Sequence, residues 1–287
     1  MKIAITGASG LVGQQLQRHW ARNFANECEV RALSHADLDI TDEAAVKRWC
    51  ERERPELIFN CAVIDVDRCE REPALAQAVN VDGPRYLAEA AQTLGGEVVH
   101  FSTNYVFDGR THGRVYTQAD EAAPINVYGE TKLAGEQAVL AANPRSYIVR
   151  TSWVFGPGKE SFLATLPRQL RAGQRVRAIT DVWASATYVN DLVARVAELL
   201  AHRRYGIYHV VNSGVCSYHE YALECARLVG VDQTQTIALI EAVSEDQARR
   251  LAERPRYTPM HCLQSAEWGL PPLRDWRAAL ADYVQQD

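Results

Sequence analysis

The sequence predicts an α/β fold, a doubly wound and mainly parallel sheet with a smaller lobe interleaved with it. Three observations carry that prediction. Short apolar runs alternate with helical spacing through the first half of the chain, a glycine-rich turn follows the first run at once, and the alternation weakens after Trp153. Repeated strand-then-helix units produce right-handed crossovers, a parallel sheet and helices on both of its faces.

Ile3 to Thr6 reads as a short buried strand, followed by GASGLVG and a helix starting near Leu11. Glu29 to Leu33 supplies a second strand, and the helix after Asp42 offers Ala45, Val46 and Trp49 to one face. ELIFNCA is a third apolar strand. Residues 74–91 have helical spacing with Ala78, Leu87 and Ala91 at buried positions, and EVVHFST follows as a strand. A tyrosine-bearing helix begins near Asn126, and SYIVRTSW supplies a further strand. Beyond it, Phe162 to Leu170 suggests a helix, and AITDVWASATYV an extended segment entering another helix at Asn190. GIYHVV returns as a strand, Cys216 to Val229 forms a helix with Tyr221, Cys225 and Leu228 on shared spacing, and a last helix around Trp276 to Tyr283 follows Pro271-Pro272. The expected division is 1–155 for the main domain and 156–287 mainly for the smaller lobe, with approximate returns to the main domain at 188–212.

Composition narrows the function classes. With 47% hydrophobic residues in 287, an ordinary core forms and disorder is a poor reading. Acidic residues outnumber basic ones, 36 to 31, for a formal charge of -5, which argues against a nucleic-acid surface. No stretch of about 20 residues stays apolar, so no membrane span is expected. The first residues run straight into a strand and a glycine turn, without the apolar stretch of a secretion signal. Seven cysteines without a CxxC pair suggest reduced thiols in a cytoplasmic protein. No metal site is visible in the ligand spacing.

Gly7, Gly10 and Gly13 spell GASGLVG directly after the first strand. In a dinucleotide-binding loop the first glycine allows the tight turn, the second leaves room for a pyrophosphate and the third lets the helix pack closely. Helix N-terminal amides then face the phosphates. This makes the sheet Rossmann-type, with Ser9, Leu11 and Val12 completing the loop around a nicotinamide cofactor. The second strand ends in VRALSHADLD, where a simple NAD site often carries an acid. Leu33 and Ser34 stand there instead, and Arg31, Ser34 and His35 form a phosphate-compatible edge that favours NADPH over NADH. Asp39 and Ile40 lie near the adenine position, although Asp39 can equally cap the helix at Thr41 and Asp42.

Tyr128 and Lys132 in NVYGETK are four residues apart, which places both on one helix face. A phenol can protonate an alkoxide as hydride reaches a carbonyl, but its ordinary pKa of about 10 makes it a poor exchanger near neutrality. A lysine cation beside it lowers that value, and a fall of about three units corresponds to roughly 4 kcal/mol. Thr103, at the end of HFST, is placed to hold the reacting oxygen. Thr103, Tyr128 and Lys132 are the expected catalytic group.

Together these segments resemble the dTDP-4-dehydrorhamnose reductase family of extended short-chain dehydrogenases. The resemblance covers nearly the whole chain, through GASGLVG, LDITDEAAV, NCAVIDVDRCEREP, AVNVDGPRYLAEAA, HFSTNYVFDG, NVYGETKLAGEQAV, VRTSWVFGPG and GIYHVVNSGVCSYHEYA to WGLPPLRDWRAAL. It implies reduction of a nucleotide-linked 4-keto sugar with NADPH or NADH, with magnesium compatible but not required and a homodimer compatible as well. It places Cys61, Ala62 and Val63 beside the dinucleotide and Asn80 on the cofactor-side helix. It also makes Trp153 a residue bordering the substrate pocket, with core packing as the alternative. Arg254 and Tyr257, with Arg256, are expected to contact a nucleotide phosphate or border the sugar site, with a solvated loop as the alternative.

Four departures from the family pattern fall around the substrate. Asn104 replaces the acid of STDYVFDG, AVID ends at Asp65 where alanine-tyrosine-threonine is usual, ASAT at 184–187 replaces GSPT, and RPRYTPMHCL replaces RPxNSxL. All four spare the catalytic group. The enzymatic rival is an NAD-dependent nucleotide-sugar epimerase or dehydratase. A second rival is a regulatory nucleotide-binding subunit resembling the methionine adenosyltransferase beta subunits.

Overall fold

The computed structural model describes residues 1–158 and 160–286. Its centre is a six-stranded sheet in which every pairing is parallel. From one edge to the other it runs Gly206–His209, Ser146–Thr151, Glu97–Thr103, Leu57–Asn60, Lys2–Thr6 and Glu29–Leu33.

Strand period explains why these segments are nearly continuous in apolar residues. Alternate side chains point to opposite faces, and a doubly covered sheet must bury both. Ile3, Ile5, Leu57, Phe59, Val99 and Val149 enter one core, with Trp20 and Tyr208 among their neighbours. Ala4, Ile58, Val98 and Ile148 enter the other, against Val46, Trp49, Leu87 and Val139. The outermost strand on the right of this order, Glu29–Leu33, is largely exposed, and Arg31 there pairs with Glu29 at 2.8 Å.

The helical stretch expected at 74–91 divides into Pro73–Gln77, a wide turn at Ala78–Asp82 and Gly83–Leu94. The wide π-type turn shifts the face by one residue. Ala76 and Asn80 are therefore buried, and Ala78 is only half-buried.

After residue 155 the chain builds smaller sheets. Val176–Ile179 pairs with Ile240–Val243, and Trp183–Ala184 lies between Tyr257–Thr258 and Cys216–Ser217. Helix Val189–His202 and strand Gly206–His209 belong to the main layer, the strand pairing in register with Tyr147–Arg150. The segment 188–212 thus adds the sixth strand.

Helix Val127–Ala142 is tied to the sheet by a buried ion pair. Arg150 Nη2 donates to Glu136 Oε2 at 2.7 Å and Arg150 Nε donates to both carboxylate oxygens, while Ser102 Oγ donates to Oε1. Neither charged side chain is more than 5% exposed. Gly135 permits this approach, since a Cβ there would stand 2.0 Å from the Asn80 carbonyl oxygen.

Candidate active site

The glycine turn is shaped by contacts that a side chain would break. Gly7 has φ of +63°, and a Cβ would lie 2.6 Å from the backbone of Cys61 and Ala62. At Gly13 a Cβ would lie 2.6 Å from the Gly7 oxygen, so the helix rests on the loop. Gly10 is different: a Cβ would meet only the Gly7 oxygen, at 3.3 Å. Gly10 also begins helix Leu11–Asn23 without a side-chain cap. A cleft of about 270 Å³ opens there, lined by Gly10, Leu11, Val12, Gly13, Cys61 and Val63. Ala62 is half-buried at its back, and Ser9 is exposed with its carbonyl held by Gln14 at 2.7 Å. Gly7→Ala is expected to lower stability by about 1–3 kcal/mol from the positive φ and the backbone overlap, and to weaken dinucleotide binding. Urea unfolding and a fluorescence titration with NADPH check it; unchanged values would remove the structural reason for that glycine.

At the second strand's end, Ser34 N and Oγ both donate to Asp37 Oδ2, at 2.8 and 2.6 Å. Asp39 accepts from the Thr41 amide and hydroxyl, and Asp42 caps the next helix. Ile40 turns its side chain into the core. Arg31 is left as the exposed cation of this edge.

Helix Val127–Ala142 starts on Asn126, whose side chain accepts from the Gly129 amide and donates to the Glu253 carbonyl. The first turn lies on Tyr105, because a Cβ at Gly129 would stand 2.2 Å from its carbonyl oxygen. Tyr128 meets the Tyr105 ring edge-on at 5.5 Å, and its phenol hydrogen-bonds the Thr103 hydroxyl. Thr103 Oγ also accepts from the Tyr105 amide and donates toward Asn104 Oδ1 at 3.3 Å. One strand end and one helix turn therefore bring together Thr103 and Tyr128, two of the three side chains expected to be catalytic.

Its electrostatics differ from expectation. Burial pushes the Tyr128 phenol up to about 12, and the Thr103 hydrogen bond and the Arg254 charge pull it partly back. Lys132 is not among the groups that lower it. The lysine is 2% exposed and turns inward, where Nζ donates to the Phe101 carbonyl at 2.6 Å and stands 3.2 Å from His100 Nε2. Burial brings Lys132 down to about 8, against the raising influence of Glu136, Cys61 and Cys69. Cys61, one of the residues that act on Lys132, also lines the glycine cleft.

Asn80 lies under this turn and is wholly buried, donating to Thr131 Oγ at 3.1 Å while its Oδ1 has no partner. Asn104 donates to Thr258 at 2.6 Å, so two of the departures from the family pattern bind one another across the lobes. Asp65 caps helix Val66–Arg71, and Ser185 accepts from Ser152 and from the Met260 amide. Arg254 is buried and paired with Asp67 at 3.0 Å, and its charge reaches both Tyr128 and Tyr105. Trp153 is half-buried at φ +43°, stacked on Tyr218 at 3.8 Å. A positive φ is rare for so bulky a residue and marks a constrained position. Tyr257 stands apart, against His112 and Trp183.

Tyr105, Tyr218, Arg250 and His100 join the site without having been singled out from the sequence. His100 had one legible signal, a polar side chain set between the apolar Val98–Val99 and Phe101 of its strand. Arg250 and Tyr218 had none, since only the lobe packing brings Arg250 over that ring at 5.8 Å. None of the seven cysteines is joined in a disulfide among the described residues. Among the described residues no three His, Cys, Asp or Glu side chains form a cation cage, and no helix is long and apolar enough to cross a membrane.

The family model described as RmlD substrate binding domain matches residues 1–287. A dTDP-4-dehydrorhamnose reductase of Mycolicibacterium smegmatis is 41% identical over 99% of this chain and 85% of its own length. A dTDP-4-dehydrorhamnose reductase of Bacillus anthracis, solved in complex with NADP, is 32% identical with a TM-score of 0.92, covering 100% of this chain and 99% of its own. A UDP-glucose 4-epimerase of Thermus thermophilus shares the fold at a TM-score of 0.81 and 19% identity, covering 99% of this chain and 98% of its own.

Proposed function

Because this chain belongs to the RmlD substrate binding domain family, we propose that it reduces the 4-keto group of a nucleotide-linked sugar with NADPH, as a dTDP-4-dehydrorhamnose reductase does. The observation that carries the reading is the presence of two features together: a glycine cleft with room at Gly10, lined by Cys61, and the Tyr128 phenol held on Thr103 with Lys132 on the same helix.

The residues present fit a dinucleotide. Gly7, Ser9, Gly10, Leu11, Val12 and Gly13 hold the pyrophosphate, Cys61, Ala62 and Val63 flank it, and Asn80 supports the helix turn that carries Lys132. Arg31, free to leave its exposed partner Glu29, faces a 2′-phosphate, which favours NADPH; the NADP held by the Bacillus anthracis relative supports this. The nicotinamide supplies hydride. Tyr128 gives its proton to the carbonyl oxygen and Thr103 orients that oxygen. Trp153 on Tyr218 borders the sugar, and Arg250 and Arg254 provide cationic donors for a diphosphate. Free thiols suit a cytoplasmic site of action.

The test is NADPH and NADH oxidation with dTDP-4-dehydrorhamnose and other nucleotide-linked 4-keto sugars, with product analysis. Net oxidation and one reduced sugar support the reading. Interconversion without net oxidation indicates an epimerase or dehydratase instead, and cofactor binding with no turnover across the set indicates a regulatory subunit.

The two perturbed groups set a pH dependence. As pH rises, Lys132 loses its proton near 8, well before Tyr128 near 12. The ammonium is the form of Lys132 that donates most strongly to a bound cofactor, so kcat/KM for reduction is expected to hold below about 8 and fall above it. A profile flat to about pH 10 would show that lysine charge does not matter.

A further inference from the structure

Behind Lys132 lies a hydrogen-bonded chain whose proton positions are dictated from its far end. Asn60 and His100 are 1% and 0% exposed, on neighbouring strands. Asn60 Oδ1 accepts from the Ala62 backbone amide at 3.2 Å and from Thr6 Oγ at 2.7 Å. A backbone amide can only donate, so the carboxamide cannot be turned over without leaving it unmet. Asn60 Nδ2 must then face His100 Nδ1, at 3.1 Å, as a donor. His100 Nδ1 is the acceptor of that bond, and a neutral imidazole with one accepting nitrogen carries its proton on the other. His100 Nε2–H therefore points at Lys132 Nζ, 3.2 Å away.

A hydrogen bond from Nε2–H to Nζ requires a lone pair on the lysine, which only the uncharged amine has. The amine completes its bonding by donating to the Phe101 carbonyl at 2.6 Å. Protonating Lys132 in place opposes two donors across that 3.2 Å gap. The conflict clears only if His100 moves its proton to Nδ1, where it meets the Asn60 amide instead. An imidazolium is not an escape, since both nitrogens would then face donors. Burial holds His100 well below its ordinary value, and a charge on Lys132 would push it the same way.

We propose that His100 is a positioning residue of the reduction, presenting Nε2–H to the Lys132 amine and so lowering that lysine's affinity for a proton. The proposal rests on the reductase reading above and names what tunes its lysine. The other groups around Lys132 act oppositely. Cys61, Cys69 and Glu136 each raise its proton affinity, and Glu136 is itself held by Arg150. Tyr128 stands one turn earlier on the same helix, with Arg254 acting on it from the other lobe. Only burial and the His100 contact favour the amine.

The experiment combines turnover with a readout that needs none. In the full chain labelled with 15N at histidine and lysine, and above the Lys132 value of about 8, the His100 ring is expected to show a bare Nδ1 and a protonated Nε2. Lys132 Nζ, assigned by its loss in Lys132→Met, is expected to titrate about one unit higher in His100→Leu. The alkaline limb of kcat/KM should move up with it. His100→Gln keeps an N–H donor toward the amine and should hold the limb near the parent position. Should His100→Leu fail to fold, Asn60→Asp asks the same question from the far end: an acceptor facing Nδ1 draws the proton there, and the limb should again rise. A protonated Nδ1 in the parent chain above the lysine's titration, or a lysine titration unmoved in both His100→Leu and Asn60→Asp, overturns the proposal while leaving measured turnover intact. The expected tautomer and titration in a parent chain that oxidises no NADPH would instead overturn the reductase reading.

Discussion

Replacing Tyr128 with phenylalanine is expected to lower kcat for NADPH-dependent reduction by about 10³-fold, within the roughly 10²–10⁴ range of a positioned proton donor. The substitution removes one oxygen and keeps the ring that meets Tyr105 edge-on at 5.5 Å, so the helix turn and the glycine cleft stay in place. Affinity for NADPH should consequently change little, because the loop at Gly7–Gly13 is untouched. Stopped-flow or steady-state oxidation of NADPH measures the first quantity and fluorescence titration the second. A variant that keeps near-parent turnover would mean that the proton reaches the substrate oxygen by another path. A variant that loses NADPH binding in proportion would mean that the phenol serves the cofactor rather than the reaction.

Arg150→Met is expected to cost about 3–5 kcal/mol of folding stability, because it leaves the Glu136 carboxylate in the interior without its cation. The pair is almost fully enclosed, and three of the hydrogen bonds that satisfy Glu136 come from Arg150. Ser102 Oγ alone would remain. Exposed pairs elsewhere, such as Arg52 with Glu53, belong to a class worth about 0–1 kcal/mol. Replacing both partners by apolar residues of similar size should recover most of the loss, since the larger part of it comes from the orphaned charge. Urea unfolding of the single and double variants tests this. A single-variant loss under about 1 kcal/mol would show that water or another group reaches Glu136.

Much of the main layer was legible because sheet burial writes itself into sequence. Strands covered on both faces need consecutive apolar side chains, and Ile3–Ala4–Ile5, Leu57–Ile58–Phe59, Val98–Val99 and Tyr147–Ile148–Val149 supply them. The helix of Tyr128 and Lys132 was legible for a similar local reason, an asparagine cap followed by a four-residue spacing. The edge strand's function was less so. Arg31, Ser34 and Asp39 looked alike as ligand candidates, and local turns then engaged Ser34 with Asp37 and Asp39 with Thr41. Asp and Ser side chains compete for nearby amides in ways that spacing does not rank.

The second lobe was harder to read because its contacts are distant in sequence. Arg254 looked like a solvated or ligand-facing arginine, and the carboxylate it pairs with, Asp67, lies 187 positions away. Tyr257 was grouped with it by adjacency, yet it packs on His112 and Trp183. The departures at Asn104 and Thr258 were read separately and turn out to share one hydrogen bond.

By itself the sequence determined the order of strands and helices, the glycine loop and the side chains able to exchange a proton, because each depends on neighbours within a few residues. Only the tertiary structure decided which way Lys132 turns and which proton His100 carries. Those depend on donors and acceptors from separate strands, at Thr6, Asn60 and Phe101, which meet only when the sheet closes over them. Inside a protein a polar group must find its partner wherever the fold brings one, and chain distance does not limit that choice.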